Sequence, residues 1–455
     1  MIWTLIGLLF PAVSSTPTAE PVPLVADENP SLDPREGKKG KVYKWKAADG
    51  LPYEYYVPKD YDPEKGANLT FVLHGNGLDH RWTFWNHTPG EFRKDDIVIS
   101  PDGTSILQST GNPEFLSGQK DVDRLHALIE EMKSVFQVNQ TFLYGHSQGS
   151  FFVFLYAGEY PDDIDGVCGH AGAGWSVQQN KKGHHIAIGF LHGTADHIGH
   201  WQASGARETY VEAKYPLTHL RTLFDWGHPP HMYQAENVLS WCEGMTSENP
   251  DRVEECLDYL AVKDRPMGVD FSATWAVANR LASMKDANAS QKKKGQKVAK
   301  AVDELCAKHL KAIEKGLGKK GKLTTLAKGD WAGILIRLVE EFHGVPSLEA
   351  FEKKNKKAIA KIRDEASDAL KAYYQNSEKD PKKAFAAGLD LLEKGYLEYR
   401  CVEVRKKMEA WVMDAKNVGL GKRDLQRWEE IGELYTECRA DGFGEFEKAN
   451  RKVKF

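Results

Sequence analysis

The pentapeptide GHSQG, from Gly145 to Gly149, holds one hydroxyl between two glycines at the junction of two apolar runs. The run TFLYG before it has the pattern of a buried strand, and SFFVFLYAGEY after it has the pattern of a helix. A serine on such a sharp strand-to-helix turn projects its hydroxyl from the carboxyl edge of a sheet, where it can attack a carbonyl carbon. The alternative is a tight turn whose serine has no chemical role, so the choice depends on its partners.

Two downstream residues supply the partners that a nucleophilic serine requires. Asp196 follows the apolar run IAIGFLHG, and His228 follows the strand-like run LRTLF. Serine is a weak nucleophile unless a base accepts its proton, and the base needs a carboxylate that fixes its tautomer. The chain order serine, acid, histidine is the order expected after a GxSxG turn. We therefore predict that Ser147, Asp196 and His228 form a catalytic triad.

Backbone amides for a developing oxyanion are expected at two places. The amide of Gln148 follows the serine directly, and the segment LHGNG, from Leu73 to Gly77, ends an early strand-like run. Two amides that converge on the same oxygen stabilise the negative charge of a tetrahedral intermediate.

Other assignments of the same residues remain open. His231 is an alternative base, and Asp225 is an alternative acid only if the chain order is broken. A group of acidic and histidine residues offers metal ligands, but its spacing matches no helical metal motif, and we predict no metal. The members of that group are Asp196, His197, His200, His228 and His231. We interpret His74 and His192 as packing or loop-shaping residues.

Aromatic residues near the predicted site are candidates for a substrate pocket. Trp82 and Trp85 follow the LHGNG segment, and Trp175 follows another strand-like run. Ligand pockets are mostly apolar with a few polar anchors, so these side chains suit an acyl or aromatic pocket. Ordinary core packing is the alternative. The chemistry requires no dissociable cofactor.

Short apolar runs alternate with helical patterns between about residues 41 and 244, which predicts a mostly parallel sheet with helices on both faces. The predicted strands are KVYKWKA, LPYEYYVP, LTFVLHG, DIVISPDG, TFLYG, DGVCGHAG, HIAIGFLHG and LRTLFDWGH. The predicted helices are DVDRLHALIEEMKSVF, SFFVFLYAGEY, ARETYVEAKY and AENVLSWCEG.

Several of these segments together resemble the α/β-hydrolases, and in particular the esterase branch that includes feruloyl esterases and polyhydroxybutyrate depolymerases. The segments are LPYEYYVPKDYDP, TFVLHGNG, DVDRLHALIEEM, FLYGHSQGS, GFLHGTAD and FDWGHPPH. The resemblance covers residues 41 to 245. It implies an α/β-hydrolase fold and ester hydrolysis through an acyl-enzyme, with Ser147 as nucleophile, His228 as base and Asp196 as its orienting acid. It also implies that the amides of Asn76 and Gln148 form the oxyanion hole.

The remainder of the chain has a different character. The first 264 residues carry a formal charge of about −15 and the remainder about +11, which together give the net −4. Lys-rich segments with apolar residues at helical spacing predict four to six amphipathic helices in an all-α domain over residues 265–455. Its lysine runs at 292–294 and 319–322 lack any base-stacking or helix-turn-helix signature, so we predict no nucleic-acid partner. Oligomerisation or partner binding is the expected role.

The N-terminal segment MIWTLIGLLFPAV has the apolar character of a signal peptide, although no Lys or Arg precedes it. We predict a signal peptide at residues 1–15, a Pro-rich linker at 16–40, a catalytic domain at 41–262, and a secreted or periplasmic location. No later run is long and apolar enough to span a bilayer. Six cysteines are sparse, and Cys242 with Cys256 is the most plausible disulfide, with free buried thiols as the alternative.

The sequence thus predicts a secreted serine esterase for feruloyl, acetyl or polyester-type substrates. Two rivals keep the same fold. A peptidase of the prolyl-oligopeptidase type would use the same triad, but the first 264 residues leave no space for a propeller. An inert hydrolase-like scaffold would use its helices for binding alone.

Overall fold

The computed structural model describes residues 39–109, 111–116, 118–174, 181–196, 198, 200–224, 226–262, 267–316, 335, 337–393 and 401–438. The predicted signal peptide, most of the predicted linker and Trp175 lie outside the described residues, and so does residue 265, where the helical domain is predicted to begin. No helix in the described part of the chain combines the length and the apolar character needed to cross a membrane.

Eight strands form the central sheet, in the order β1-β2-β4-β3-β7-β8-β9-β10. Strand β2 is antiparallel to both neighbours, and all other pairs are parallel. The strands are β1 (Val42–Lys46), β2 (Pro52–Tyr56), β3 (Ala67–Leu73), β4 (Ile97–Pro101), β7 (Val138–His146), β8 (Gly166–His170), β9 (Ala187–Gly193) and β10 (Thr218–Leu223), and a separate hairpin contains β5 (Ser105–Ile106) and β6 (Pro113–Glu114). Every residue of β3, β4, β8 and β9 is buried, which explains why these strands read as continuous apolar runs.

Helices cover both faces of the sheet. The first core cluster packs α2, α3 and α4 on one face, and the second packs α5, α6 and α7 on the other. The helices of this part are α1 (Trp82–Asn86), α2 (Gln119–Val135), α3 (Gln148–Glu159), α4 (His200–Glu212), α5 (Met232–Thr246), α6 (Pro250–Leu260) and α7 (Phe271–Ser283). This strand order with helices on both faces is that of the α/β-hydrolases. The predicted fold is confirmed.

The strand order places one point of the sheet at a topological switch. From β3 the chain continues into β4 on one side, and β7 joins β3 on the other. Leu73 at the end of β3 pairs with Gly145, and His146 at the end of β7 pairs with His170 of β8. Ligands of open α/β sheets bind beyond the carboxyl ends of the strands at such a point, which here is the position of GHSQG.

The additional helices form two further cores. The first joins the start of α7 to α8 (Ala289–Gly316), to α9 (helical residues 337–341) and to the start of α10 (Pro346–Asn376). The second joins the end of α10 to α11 (Pro381–Glu393), α12 (Cys401–Met413) and α14 (Lys422–Cys438), with the short α13 (Ala415–Val418) between the last two. The described residues of the predicted helical part are thus confirmed as helical, but they form eight helices, α7 to α14, instead of the predicted four to six.

Buried polar contacts fix these helices against the edge strand β10. His219 of β10 bonds through Nε2 to a carboxylate oxygen of Asp270, 2.7 Å away. Asp270 also caps α7, because its side chain accepts from the amide of Ala273. Further along the strand, the Thr222 hydroxyl donates to Glu340 over 2.7 Å. The open edge of the sheet is thus covered by helices.

The suggested Cys242–Cys256 disulfide is absent from the structure. Both cysteines are buried free thiols. Cys242 lies on α5 and directs its Sγ toward the strand carbonyls of Val167 and Ala187, each 3.7 Å away. Closeness in sequence did not predict pairing here, because Cys242 on α5 faces the sheet while Cys256 lies on α6.

Candidate active site

Ser147 occupies a strained backbone position between β7 and α3. Its φ of 53° and ψ of −113° lie in a region that residues with a Cβ rarely adopt. The Ser147 amide donates to the carbonyl of His170 over 2.9 Å, which anchors the turn to β8. The side chain remains partly exposed while the residues before it are buried. This is the geometry of a nucleophile elbow.

The two glycines of GHSQG are required by close backbone contacts. A Cβ on Gly145 would lie 2.2 Å from the carbonyl oxygen of Gly149, and a Cβ on Gly149 would lie 2.4 Å from the carbonyl oxygen of Leu73. Neither contact is compatible with a side chain. The glycines therefore let α3 approach both β7 and β3, and this approach holds the turn at Ser147 in its strained form.

His228 and Asp196 lie within hydrogen-bond distance of each other. The Nδ1 of His228 lies 3.0 Å and 3.1 Å from the two carboxylate oxygens of Asp196. Since a carboxylate can only accept, Nδ1 carries a proton and donates it to Asp196. The His228 side chain is 26% exposed and its ring lies 5.0 Å from that of His146, the residue before Ser147. The structure thus brings His228 to the elbow.

Asp196 is built to remain ionised. Its side chain is fully buried, and burial raises the pKa of a carboxyl group. The hydrogen bond from His228, the neighbouring His192 and the amide of Ile198 outweigh burial and hold the pKa of Asp196 below its usual value. A permanent negative charge beside His228 favours the imidazolium form that proton transfer from a serine would create.

The LHGNG loop lies directly beside the elbow. The carbonyl of His74 accepts a hydrogen bond from the amide of Gly149 over 3.1 Å. A Cβ on Gly75 would lie 3.1 Å from the Cβ of Ser147, so the loop passes in contact with the serine. Asn76 follows at an exposed position. As the first residue of α3, Gln148 has an amide with no acceptor within its own helix. Both predicted oxyanion residues therefore lie near Ser147.

The β5–β6 hairpin holds this part of the site in place. The side chain of Gln148 accepts from the amide of Phe115 at 3.3 Å and donates to Glu114 at 3.1 Å. His74 donates from Nδ1 to the carbonyl of the next residue, and its Nε2 accepts from the amide of Gly103 at 2.9 Å. His74 therefore shapes the loop, which was the interpretation from sequence, and Glu114 is a site residue that sequence reasoning missed.

The predicted pocket tryptophans occupy different environments. Trp82 is 5% exposed and its ring stacks on that of His146, with centroids 5.2 Å apart. Trp85 is 56% exposed and lies under the guanidinium of Arg81. The structure thus places Trp82 in the core behind the elbow and Trp85 at the surface, while Trp175 lies outside the described residues.

Of the two alternative site residues, the structure describes His231. His231, the alternative base, is the N-cap residue of α5 and packs against Trp226, and burial and then the charge of Arg221 lower its pKa. The alternative acid at position 225 lies outside the described residues.

Among the described residues, one group of donors converges closely enough for a metal, and it lies away from Ser147, where α2 meets the turn after α3. Its members are His126, Glu130 and Asp163.

Comparisons with known proteins give structural likeness alone. No family model and no curated protein matches the sequence. Among solved structures, a thermostable esterase is 17% identical, with a TM-score of 0.34, over 48% of this chain and 62% of its own, so this chain spans less than two thirds of that protein. A feruloyl esterase module from Clostridium thermocellum, complexed with sinapinate, is 15% identical, with a TM-score of 0.33, over 47% and 90%. A Bacillus cereus carboxylesterase is 16% identical, with a TM-score of 0.36, over 43% and 94%.

Proposed function

We propose that this protein is a serine hydrolase of carboxylic esters that acts through Ser147, His228 and Asp196. The observation that carries the proposal is the hydrogen-bonded pair of His228 and Asp196 beside a serine in a strained elbow. A glycine at this position would have less backbone strain. The fold alone therefore does not require a serine here, whereas catalysis requires its hydroxyl.

The reaction follows from the positions of these groups. Ser147 Oγ attacks the ester carbonyl carbon while its proton passes to Nε2 of His228, and Asp196 stabilises the imidazolium. The amides of Gln148 and Asn76 receive the negative oxygen of the tetrahedral intermediate. His228 then protonates the departing alcohol, which leaves an acyl group on Ser147. Water activated by His228 releases the acid and restores the serine.

The proposal includes a substrate class and a location. Feruloyl, acetyl or polyester-type esters are the expected substrates, and the sequence motifs shared with that esterase branch support this choice. The apolar N-terminal segment supports secretion or a periplasmic location. The helical part would mediate oligomerisation or partner binding.

The test is a panel of p-nitrophenyl esters of increasing acyl length together with feruloyl esters and short peptides. We expect ester turnover that falls by at least about 10³-fold in Ser147→Ala, because the nucleophile is lost. Ser134→Ala is the matched control, since Ser134 is exposed on α2 and its loss leaves the elbow intact. Full activity in Ser147→Ala contradicts the proposal, peptide turnover alone favours the peptidase, and no turnover by folded wild-type protein favours the scaffold.

A further inference from the structure

His146, the residue before the serine, contacts the loop that carries the base. It ends β7 and is buried, and its Nε2 lies 2.9 Å from the carbonyl oxygen of His228. Because a carbonyl accepts, Nε2 of His146 carries the proton and donates. The two residues are 82 positions apart in the sequence. One hydrogen bond therefore connects the strand that bears the nucleophile to the backbone of the catalytic histidine.

The ring of His146 is held in one orientation by its neighbours. Trp82 stacks on one side at 5.2 Å, with an angle of 25° between the rings. His170 meets the ring edge-on at 5.2 Å and 77°. His170 also accepts the amide hydrogen bond of Ser147 through its carbonyl. The donor at Nε2 is therefore fixed relative to the serine.

A histidine is a costly residue at this position unless the donor is needed. Burial, followed by the charge of His228, lowers the pKa of His146 to about 4, so the ring is neutral near pH 7. Its Nδ1 is buried without a hydrogen-bond partner among the described residues. An unsatisfied buried polar atom destabilises a folded protein, and an apolar ring would avoid that cost. The donation from Nε2 to His228 is what an apolar ring would lose.

We propose that His146 is a positioning residue, whose Nε2 hydrogen bond to the His228 carbonyl sets the position of the base relative to Ser147. The inference rests on the proposed ester hydrolysis. His146 does not touch the reacting atoms. It acts through His228, so its loss should change the chemical step and leave substrate binding nearly unchanged.

Three variants test this role. His146→Phe keeps an aromatic ring for stacking but removes the donor, and His146→Gln restores a donor near the position of Nε2. His87→Phe is the matched control, because His87 is a fully buried histidine that also contacts Trp82, yet its ring contacts do not include His228. Thermal melting verifies that each variant is folded, and His146→Met replaces His146→Phe if the larger ring prevents folding.

We expect kcat of His146→Phe to fall about 10-fold to 100-fold, since a misplacement of about 1 Å can cost about 100-fold. KM should stay within about twofold, the pH dependence of kcat/KM should shift, and His146→Gln should recover most of the loss. His87→Phe should keep kcat within about twofold. The proposal is overturned if His146→Phe keeps wild-type kcat, if both phenylalanine variants lose activity equally, or if His146→Gln recovers nothing.

A crystal structure of His146→Phe provides a readout that does not depend on turnover. We expect His228 to be displaced, with its Nδ1 beyond hydrogen-bond distance of Asp196. Retention of the 3.0 Å contact between them would overturn the positioning role. Absence of ester turnover in the wild-type protein would instead contradict the proposed hydrolysis, so the two failures are distinguishable.

Discussion

Replacement of Ser147 by glycine should stabilise the protein while it abolishes the nucleophile. Ser147 is held at φ 53° and ψ −113°, where a residue with a Cβ is strained and glycine is not. Alanine at the same position keeps the Cβ and therefore the strain. Ser147→Ala and Ser147→Gly both lack the hydroxyl, so the comparison between them isolates the backbone conformation.

The size of the effect follows from two opposing contributions. Strain at such a position costs about 1 to 3 kcal/mol, and its release favours glycine. The greater freedom of glycine in the unfolded chain costs about 0.5 to 1 kcal/mol. The balance favours Ser147→Gly over Ser147→Ala by about 1 kcal/mol, which corresponds to a rise of about 3 °C in Tm for a domain of this size.

Differential scanning calorimetry of the two variants measures this difference directly. Ala127→Gly on the Ser147→Ala background is the control, because Ala127 is exposed in the middle of α2 and glycine there should lower Tm. Opposite signs at the two positions support a strained elbow. A Ser147→Gly variant that melts at or below the temperature of Ser147→Ala would refute the reasoning.

Three further predictions concern stability and redox state. Burial first, followed by neighbouring histidine charge, lowers the pKa of His87 to about 3 and of His146 to about 4, so the unfolded chain binds more protons below about pH 6.5. The free energy of unfolding should therefore be highest above pH 6.5 and should fall as the pH is lowered toward 4. In urea titrations, His87→Phe should make this fall shallower by about 1.4 kcal/mol per pH unit, and equal slopes in the variant and the wild-type protein would contradict this. Asp270→Ala should destabilise the protein by about 2 to 4 kcal/mol, because it removes the hydrogen-bond partner of the buried Nε2 of His219 and the cap of α7; an unchanged urea midpoint would count against this. Non-reducing peptide mapping should find Cys242 and Cys256 alkylated after denaturation, and a linked peptide would show the opposite.

The strands could be predicted because burial on both faces leaves a direct signal in the sequence. Runs such as LTFVLHG and HIAIGFLHG became β3 and β9, which are buried at every residue. The strand order could not be predicted. Strand β4 pairs between β2 and β3, and nothing in the residues of a strand indicates which other strands it pairs with.

The candidate site divides in the same way. Ser147, Asp196 and His228 carry a recognisable order in the chain, and the LHGNG loop carries a recognisable motif. The hydrogen bond from His146 reaches a backbone carbonyl, which has no side chain to mark it in the sequence. Trp82 was interpreted as a pocket residue from its position after the loop, and only the fold places it against His146.

The most direct measurement of the central claim is mass spectrometry of the folded protein after reaction with a fluorophosphonate. Such reagents label a serine only when an adjacent base activates it. We predict one adduct per chain, mapped to the peptide that contains Ser147, and no adduct in Ser147→Ala. A folded wild-type protein that remains unlabelled, or an adduct on a different residue, would contradict the account.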